Sequence, residues 1–297
     1  MIIDIHTHIF PEKIADRAIS GMEAAARAKR YIDATEFELR KSMERAGIDL
    51  SVNLPVATNP AQPRKLNIAA LEMNKRTRET GILSFGAMHP EDENWREELE
   101  FISENGIPGI KLHPMYQGVS FDDIKYTRIL EEAQRYGLIV IVHSGYDIGV
   151  PGEALLTPRM AVEIQKRTGI EKLILAHMGG WGMWQEVSKD LVGAPIYIDT
   201  AFSFGEVNEN PKYPRKEEER ALGNDELLFD IIERHGADKV LFGTDSPWGS
   251  QAADVERMKK HGFSDSEREL IFEGNARRLL AQANDDDAKT ADRDTGF

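Results

Sequence analysis

Short apolar runs rich in β-branched residues recur along the chain, and each is followed by a segment with helical spacing of apolar and polar positions. The runs are IIDIH, LSVNLPV, ILSFGAMH, GIPGIKLH, LIVIVH, KLILAH, PIYIDT and KVLFGTD. Strands that alternate with crossover helices predict a parallel sheet. Strands buried on both faces read as continuous apolar runs, and eight such units close most naturally into an α/β fold of the (β/α)8 TIM-barrel type. A doubly wound open sheet is the alternative.

Two of the predicted helices carry clear end signals. The segment TEFELRKSMERAGID spaces four apolar residues for packing, namely Phe37, Leu39, Met43 and Ala46. It stops at Gly47, a residue that commonly ends helices. The segment FSDSERELIFEGNARRLL begins with Ser264 and Glu267 at the spacing of a capping box. These residues are expected to have structural roles.

Two connections are too long to be plain turns. They are residues 9–35, after the first strand, and residues 205–225, after the seventh. Both follow the carboxyl end of a strand and would lie at the same mouth of a barrel. Long connections in a compact domain are usually functional. We therefore expect either a substrate lid or a solvated insertion.

The length alone fits either one large barrel or two ordinary domains. We expect a single barrel domain over residues 1–282 and an acidic, disordered tail over residues 283–297, where the sequence is polar and without periodicity. No apolar run reaches the roughly 18–20 residues of a membrane span, and the first strand begins where a signal peptide would need basic residues. The expected location is the cytoplasm.

Net charge and cysteine content limit the ligands and metal sites that the chain can have. A formal net charge of -14 argues against a nucleic-acid surface. Because the chain has no cysteine, disulfides, iron-sulfur clusters and thiolate zinc sites are excluded. A transition metal would need histidine and carboxylate ligands.

Histidines mark the ends of the apolar runs. Six of the eight do so: His6, His8, His89, His113, His143 and His177. In a parallel barrel the carboxyl ends of all strands open onto one mouth, so these side chains converge although they are far apart in sequence. Together with Asp245, such imidazoles suit a borderline divalent cation such as zinc. His89, followed by Pro90, either rims the pocket or only ends its strand.

The strand-end motifs also resemble a known family. DIHTH, GIKLHP, IVH, AHMGG and FGTDSP are similar to those of the amidohydrolase superfamily, and most to its amidohydrolase-related branch, which includes aminocarboxymuconate semialdehyde decarboxylase. The resemblance runs from Ile2 to about Leu280. It implies a metal-dependent (β/α)8 enzyme.

The resemblance also implies roles for single residues. His6 and His8 match the metal ligands of the first strand, His143 that of the fifth and Asp245 the aspartate of the eighth. His177 matches the sixth-strand histidine, an acid or base in mononuclear members and a second-metal ligand in binuclear ones. Asp245 is also expected to accept the proton of the metal-bound water. One zinc ion per chain is the expected cofactor.

Substrate contacts are expected from the fourth to sixth strands. Lys111 and His113 are two residues apart and share a face, so either could bind a substrate carboxylate or oxyanion. Carbamylation of Lys111 in a binuclear site is the less favoured interpretation. Tyr146, Arg159 and Trp181 are further candidates, and Trp181 could equally pack between helices.

We expect a metal-dependent hydrolase in which metal-activated water attacks an amide, lactone or related carbonyl of a small molecule. The alternative is non-oxidative decarboxylation of a small unsaturated or aromatic carboxylic acid, which would use the same metal and the same histidine. A barrel that binds a ligand or metal as a regulator is a third possibility. The expected partner is a small molecule, with neither nucleic acid nor membrane, and a homodimer is frequent in this family.

Overall fold

The computed structural model of the chain describes residues 1–281. Its parallel strands are β1 (Ile3–Thr7), β2 (Leu50–Asn53), β3 (Ile82–Ser84), β4 (Gly86–Ala87), β5 (Gly109–Leu112), β6 (Ile139–Val142), β7 (Leu173–Leu175), β8 (Tyr197–Asp199) and β9 (Val240–Leu241). They pair in chain order, β1 to β3 in one set and β4 to β9 in the other. The backbone N–H of Phe85, between β3 and β4, donates to the Asn53 carbonyl over 3.0 Å. β3 and β4 are therefore two parts of one barrel strand, which gives the eight strand positions that the sequence predicts.

Backbone hydrogen bonds close the sheet on itself. The N–H of Ile5 in β1 donates to the carbonyl of Phe242, just after β9, over 2.9 Å, and the N–H of Asp245 donates to the carbonyl of His6 over 2.8 Å. The first strand is therefore joined to the last. The (β/α)8 prediction is confirmed, and an open doubly wound sheet is excluded.

Helices follow the strands around the barrel. They are α1 (Glu12–Ala26), α2 (Glu36–Ala46), α3 (Pro63–Asn74), α4 (Thr77–Thr80), α5 (Trp95–Glu104), α6 (Pro114–Gln117), α7 (Ile124–Arg135), α8 (Pro158–Thr168), α9 (Trp184–Glu186), α10 (Asp225–His235), α11 (Gln251–Lys260) and α12 (Asp265–Glu269). Gly47 ends α2 with φ of 69°, and Ser264 and Glu267 form the capping box of α12, as the sequence predicts. Within residues 1–281 no helix has the length and apolar content that crossing a membrane requires. The tail predicted for residues 283–297 lies outside the described residues.

Alternate residues of the strands belong to two apolar layers. In β6, Val140 and Val142 pack in the larger cluster, which includes residues of the surrounding helices, while Ile139 and Ile141 belong to a second cluster built mainly from the strands. Both faces of the strand are buried, which explains its unbroken apolar run. In β5 the neighbours of Lys111 belong to the helix-facing cluster, so Lys111 points to the barrel interior.

The two long connections pack against each other. Ala28 forms an antiparallel bridge with Glu209, and the N–H of Lys29 donates to the Asn208 carbonyl over 2.7 Å. The first connection, for which the sequence allowed a lid or a solvated insertion, contains the fifteen-residue helix α1. Neither connection is a simple solvated loop.

Asn275, in the NARRLL segment, makes two buried hydrogen bonds beside the last strand, and their contribution to stability can be tested. Asn275 is fully buried, and its Nδ2 donates to the carbonyls of Ala237 and Val240 over 2.7 and 2.8 Å. We expect Asn275→Leu to lower the free energy of unfolding by about 2–4 kcal/mol, because two buried carbonyls lose their donor. Urea unfolding followed by circular dichroism measures this. Arg277→Ala, at an exposed neighbour, is the control and should change stability by less than about 0.5 kcal/mol. Equal losses in both variants would contradict the assigned role.

Candidate metal centre and active site

A cavity of about 1070 Å³ opens at the carboxyl ends of the strands. All the site residues that the sequence predicts line it, except Arg159. This is the end of a barrel where active sites lie. His89 is buried, and its Nδ1 accepts the N–H of Glu91, but it does not line the cavity. His89 therefore has a structural contact.

Arg159 does not reach the cavity. It lies in the first turn of α8, where Thr157 caps the helix, and its guanidinium pairs with Glu163 one turn along the exposed surface at 3.2 Å. The helix start turns this side chain outward, although the residue follows the fifth strand closely in sequence. We withdraw Arg159 as a candidate substrate contact.

Each histidine of DIHTH meets an acceptor on the far side of its ring. His6 Nδ1 lies 2.8 Å from Asp199 Oδ2, and His8 Nδ1 lies 2.8 Å from the Leu54 carbonyl oxygen. Because an ionised carboxylate and a carbonyl only accept hydrogen bonds, we assign the hydrogen of each ring to Nδ1. In a neutral imidazole the Nε2 is then an acceptor with a free lone pair.

The two Nε2 atoms meet the carboxylate of Asp245. Its Oδ1 is 3.4 Å from His6 Nε2 and 3.1 Å from His8 Nε2, and the two nitrogens are 3.2 Å apart. Three acceptors this close repel one another unless a cation lies among them. Ligands that surround a zinc-like ion tetrahedrally at about 2.0–2.1 Å are themselves about 3.4 Å apart. This donor set therefore fits a divalent cation.

Burial and a nearby positive charge keep His6 in the protonation state that metal binding needs. Burial lowers the pKa of His6 well below its ordinary value, and Lys111 adds to this effect. At neutral pH the ring of His6 is therefore neutral, as a metal ligand must be.

Lys111 brings a positive charge to the same place. It is buried, and its Nζ lies 3.2 Å from His6 Nε2. Burial lowers its pKa to about 8, while the carboxylates of Asp199 and Asp245 oppose this. Most of the Lys111 population is therefore an ammonium at neutral pH, so Lys111 and a metal ion would compete for the same Nε2 lone pair of His6.

His143 lies beside this group and not within it. Its Nε2 donates to the carbonyl of Tyr146 over 3.0 Å, and its Nδ1 is 3.0 Å from Nε2 of His177. The Nδ1 of His177 in turn faces the carbonyl of Ala201 at 3.0 Å. One hydrogen must lie between the two rings. Burial lowers the pKa of His143 well below its ordinary value, so we place that hydrogen on His177 Nε2.

Two further groups of potential ligands adjoin the first within residues 1–281. One joins His6, His177 and Asp199, but there the Nδ1 of His6 already donates to the carboxylate. The other joins His113, His143 and Asp147, where Nε2 of His113 lies 3.4 Å from the carboxylate, while Nε2 of His143 lies 3.9 Å from it and already donates to the Tyr146 carbonyl. In neither group do three unprotonated ligand atoms meet, so the group of His6, His8 and Asp245 is the stronger candidate metal site.

The backbone is strained where the chain leaves β7 and β9. His177 and Asp245 have φ of 61° and 60°, the left-handed region. This conformation costs a non-glycine residue about 1–2 kcal/mol, and such strain concentrates at functional sites. Met178 and Phe202 at the same end of the barrel share it, with φ of 56° and 46°.

Comparisons with known proteins agree with this geometry. The family model described as Amidohydrolase matches residues 3–282. The chain belongs to the amidohydrolase family. It is 24% identical to 2-amino-3-carboxymuconate-6-semialdehyde decarboxylase of Dictyostelium discoideum, over 94% of this chain and 91% of that protein.

Solved structures of the same fold align with nearly the whole of this chain. 5-carboxyvanillate decarboxylase from Sphingomonas paucimobilis is 14% identical with a TM-score of 0.63, covering 94% of this chain and 98% of its own. Dihydroxybenzoic acid decarboxylase from a Polaromonas species, with bound manganese and the inhibitor 2-nitroresorcinol, is 17% identical with a TM-score of 0.65, covering 94% and 96%.

These relatives correct the expected reaction. The sequence analysis favoured a hydrolase and kept decarboxylation as the alternative. The curated relative and both structural neighbours are named as decarboxylases, so the findings overturn hydrolysis as the main interpretation. The resemblance to the amidohydrolase-related branch is confirmed by the family match.

Sequence reasoning missed the acceptors that orient the two first-strand histidines. Asp199 is fully buried, and its Oδ1 accepts the backbone N–H of His177 and of Ala201 while its Oδ2 accepts from His6. The signal available was a carboxylate at the end of the run PIYIDT, where other runs end in histidine. The Leu54 carbonyl offered no signal, since every residue has such a group.

The variant Asp199→Asn tests how strongly the hydrogen bond between His6 and Asp199 affects metal binding. The two backbone donors keep the amide oxygen in place, so the amide NH₂ faces His6 Nδ1 and moves the ring hydrogen to Nε2. We expect affinity for manganese or zinc to fall about 10- to 100-fold with the fold intact, measured by competition with a chelating dye. Asp238→Asn, at an exposed carboxylate, is the control. The double variant His6→Ala/His8→Ala, expected to bind no metal, sets the baseline. Unchanged affinity in Asp199→Asn would show that the tautomer does not govern metal binding.

Proposed function

We propose that the protein is a metal-dependent, non-oxidative decarboxylase of a small aromatic or unsaturated carboxylic acid. The observation that carries the proposal is the match to a curated decarboxylase over 94% of the chain. Three features at the same mouth of the barrel also support it: the cluster of metal-type ligands, the buried ammonium of Lys111 and the ring of His177. The reaction breaks one carbon–carbon bond, releases carbon dioxide and puts a proton on the carbon that loses it.

His6, His8 and Asp245 would hold the cation. His143 remains a proposed further ligand, from the resemblance alone, because its Nδ1 faces His177. A divalent cation bound there would polarise a substrate oxygen near the carboxyl group. Manganese is the ion to test first, since the Polaromonas neighbour holds manganese, with zinc as the second.

Lys111 is the proposed contact for the substrate carboxylate. Its ammonium is buried at the base of the cavity, where a carboxylate would bind it strongly in a low dielectric. His113 lies next to this position, stacked between Tyr116 and His143 with ring centroids 4.0 Å apart on each side. The stack holds the His113 ring in one orientation, where it limits the rotation of a bound acid.

His177 is the proposed proton donor. When carbon dioxide leaves, the electron pair of the broken bond stays on the substrate carbon, and His177 Nε2 delivers to that carbon the proton that it shares with His143 Nδ1. The Ala201 carbonyl holds the other ring nitrogen and so keeps the ring in place. Water at the cavity mouth then restores the proton.

Aromatic side chains form the wall above these groups. Trp181 Nε1 donates to the Phe202 carbonyl over 3.1 Å, and the two rings stack with centroids 6.5 Å apart. Both line the cavity together with Trp248 and Tyr116. Flat apolar walls orient a planar acid and exclude water from the carbon that receives the proton.

A paired substrate panel tests the reaction. Manganese- or zinc-loaded protein is incubated with 2,6-dihydroxybenzoate, 5-carboxyvanillate and 2-amino-3-carboxymuconate semialdehyde, and carbon dioxide release is measured. A second panel holds esters, lactones and amides. We expect turnover in the acid panel only, and none for His6→Ala/His8→Ala. Hydrolysis without carbon dioxide release would overturn the proposal.

His177→Asn separates proton transfer from metal binding. The asparagine amide can still donate to the Ala201 carbonyl, but it has no titratable nitrogen. We expect kcat to fall about 100-fold or more with metal content unchanged, measured by metal analysis and carbon dioxide release. His261→Asn, a histidine outside the cavity, should be near wild type. Loss of the metal in His177→Asn would instead make His177 a ligand.

A further inference from the structure

The cavity extends well beyond the metal-type ligands. It also runs between α1, α2 and α3. Its apolar lining there includes Ile14, Met22, Phe37, Leu66, Ala69 and Met73. The polar side chains of Glu36, Arg40, Gln62 and Lys65 border it. We call this part the helix groove. The whole cavity, at about 1070 Å³, exceeds the roughly 300–1,000 Å³ of ordinary small-molecule sites. A one-ring acid bound at Lys111 would leave the helix groove unfilled.

Large apolar side chains are exposed in this groove against expectation. The helical spacing of α2 predicted that Phe37 packs in the core, but 58% of its surface is exposed, and Ile14 is 40% exposed. Of the eight large hydrophobic residues that are exposed within residues 1–281, three line the whole cavity, and two of these, Ile14 and Phe37, lie in the helix groove. Exposed apolar surface that is gathered in one concave place marks a binding site.

We propose that the helix groove binds an apolar extension of the substrate, an alkyl chain or a second ring attached to the acid. This inference rests on the proposed decarboxylase function and narrows its substrate class. The occupant is assigned to the substrate because the helix groove and the candidate site form one cavity. Residues 282–297 are mostly polar and acidic, so their composition does not suit an apolar groove.

A chain-length series measures the extension without any need for turnover. Manganese-loaded protein is titrated by calorimetry with benzoate and with 4-alkylbenzoates from methyl to octyl. Complete burial of a methylene group corresponds to about a fourfold gain in affinity. Because the helix groove is open on one side, we expect about a twofold gain for each methylene.

Gly21 allows the groove to be filled without damage to the fold. It lies in α1 and lines the cavity, and a Cβ at this position would meet no heavy atom within 4 Å. Replacing a helical glycine also favours the helix. We expect Gly21→Trp to abolish the gain with chain length while benzoate affinity and metal content stay unchanged. Ser20→Trp is the matched control, since Ser20 is exposed on the same helix outside the cavity lining.

The outcomes separate the groove from the reaction. A steady gain with chain length that Gly21→Trp removes and Ser20→Trp keeps supports the proposal, even if the acid panel shows no carbon dioxide release. Affinity independent of chain length overturns it, as does an equal loss in both tryptophan variants. Light scattering measures the oligomeric state of the same variants. If the protein is a dimer that Gly21→Trp dissociates, and if affinity does not change with alkyl chain length, the helix groove would be assigned to a second copy of the chain.

Discussion

The candidate site depends on hydrogen bonds at the outer faces of two histidine rings. Asp199 and the Leu54 carbonyl each take the Nδ1 hydrogen, which leaves the Nε2 lone pairs of His6 and His8 facing Asp245. If either ring held its hydrogen on Nε2, that hydrogen would point at the place where the cation is expected. The acceptors come from β8 and from the end of β2, so the donor set exists only when the barrel is closed around β1.

Buried charges of both signs meet at this point. With its carboxylates ionised, the group formed by Lys111, Asp199 and Asp245 carries one positive and two negative charges in a buried place. A divalent cation would offset the two carboxylates, and the carboxylate of an acid would pair with the ammonium of Lys111. Because uncompensated charge is costly in a low dielectric, this pairing supports the proposal of an anionic substrate over a neutral ester or amide.

Local periodicity determines the features that could be predicted from the sequence. Buried strands need continuous apolar runs, and residues that end parallel strands meet at one mouth, so the barrel and the gathering of His6, His8 and Asp245 could be inferred from sequence alone. The partners across the barrel could not, because the carboxylate in PIYIDT marks Asp199 as a strand-end residue without indicating which ring it contacts. Proximity in sequence was also misleading: Arg159 lies near the fifth strand along the chain, but the cap of α8 turns it to the surface. The helical spacing of α2 places Phe37 among the packing residues, but in the structure its side chain lines the cavity.

Chemistry and selectivity are built from different parts of the chain. The proposed catalytic groups stand on strand ends, where the register of the barrel fixes them. The helix groove depends on α1, whose carboxyl end is held by pairing of Ala28 and Lys29 with residues 208–209 and by a 2.8 Å bond from the Tyr31 N–H to the Pro247 carbonyl. Changes in the two long connections would therefore reshape the groove without moving His6 or Asp245. This separation would let members of a family keep one metal site while they differ in the part of the substrate that lies outside it.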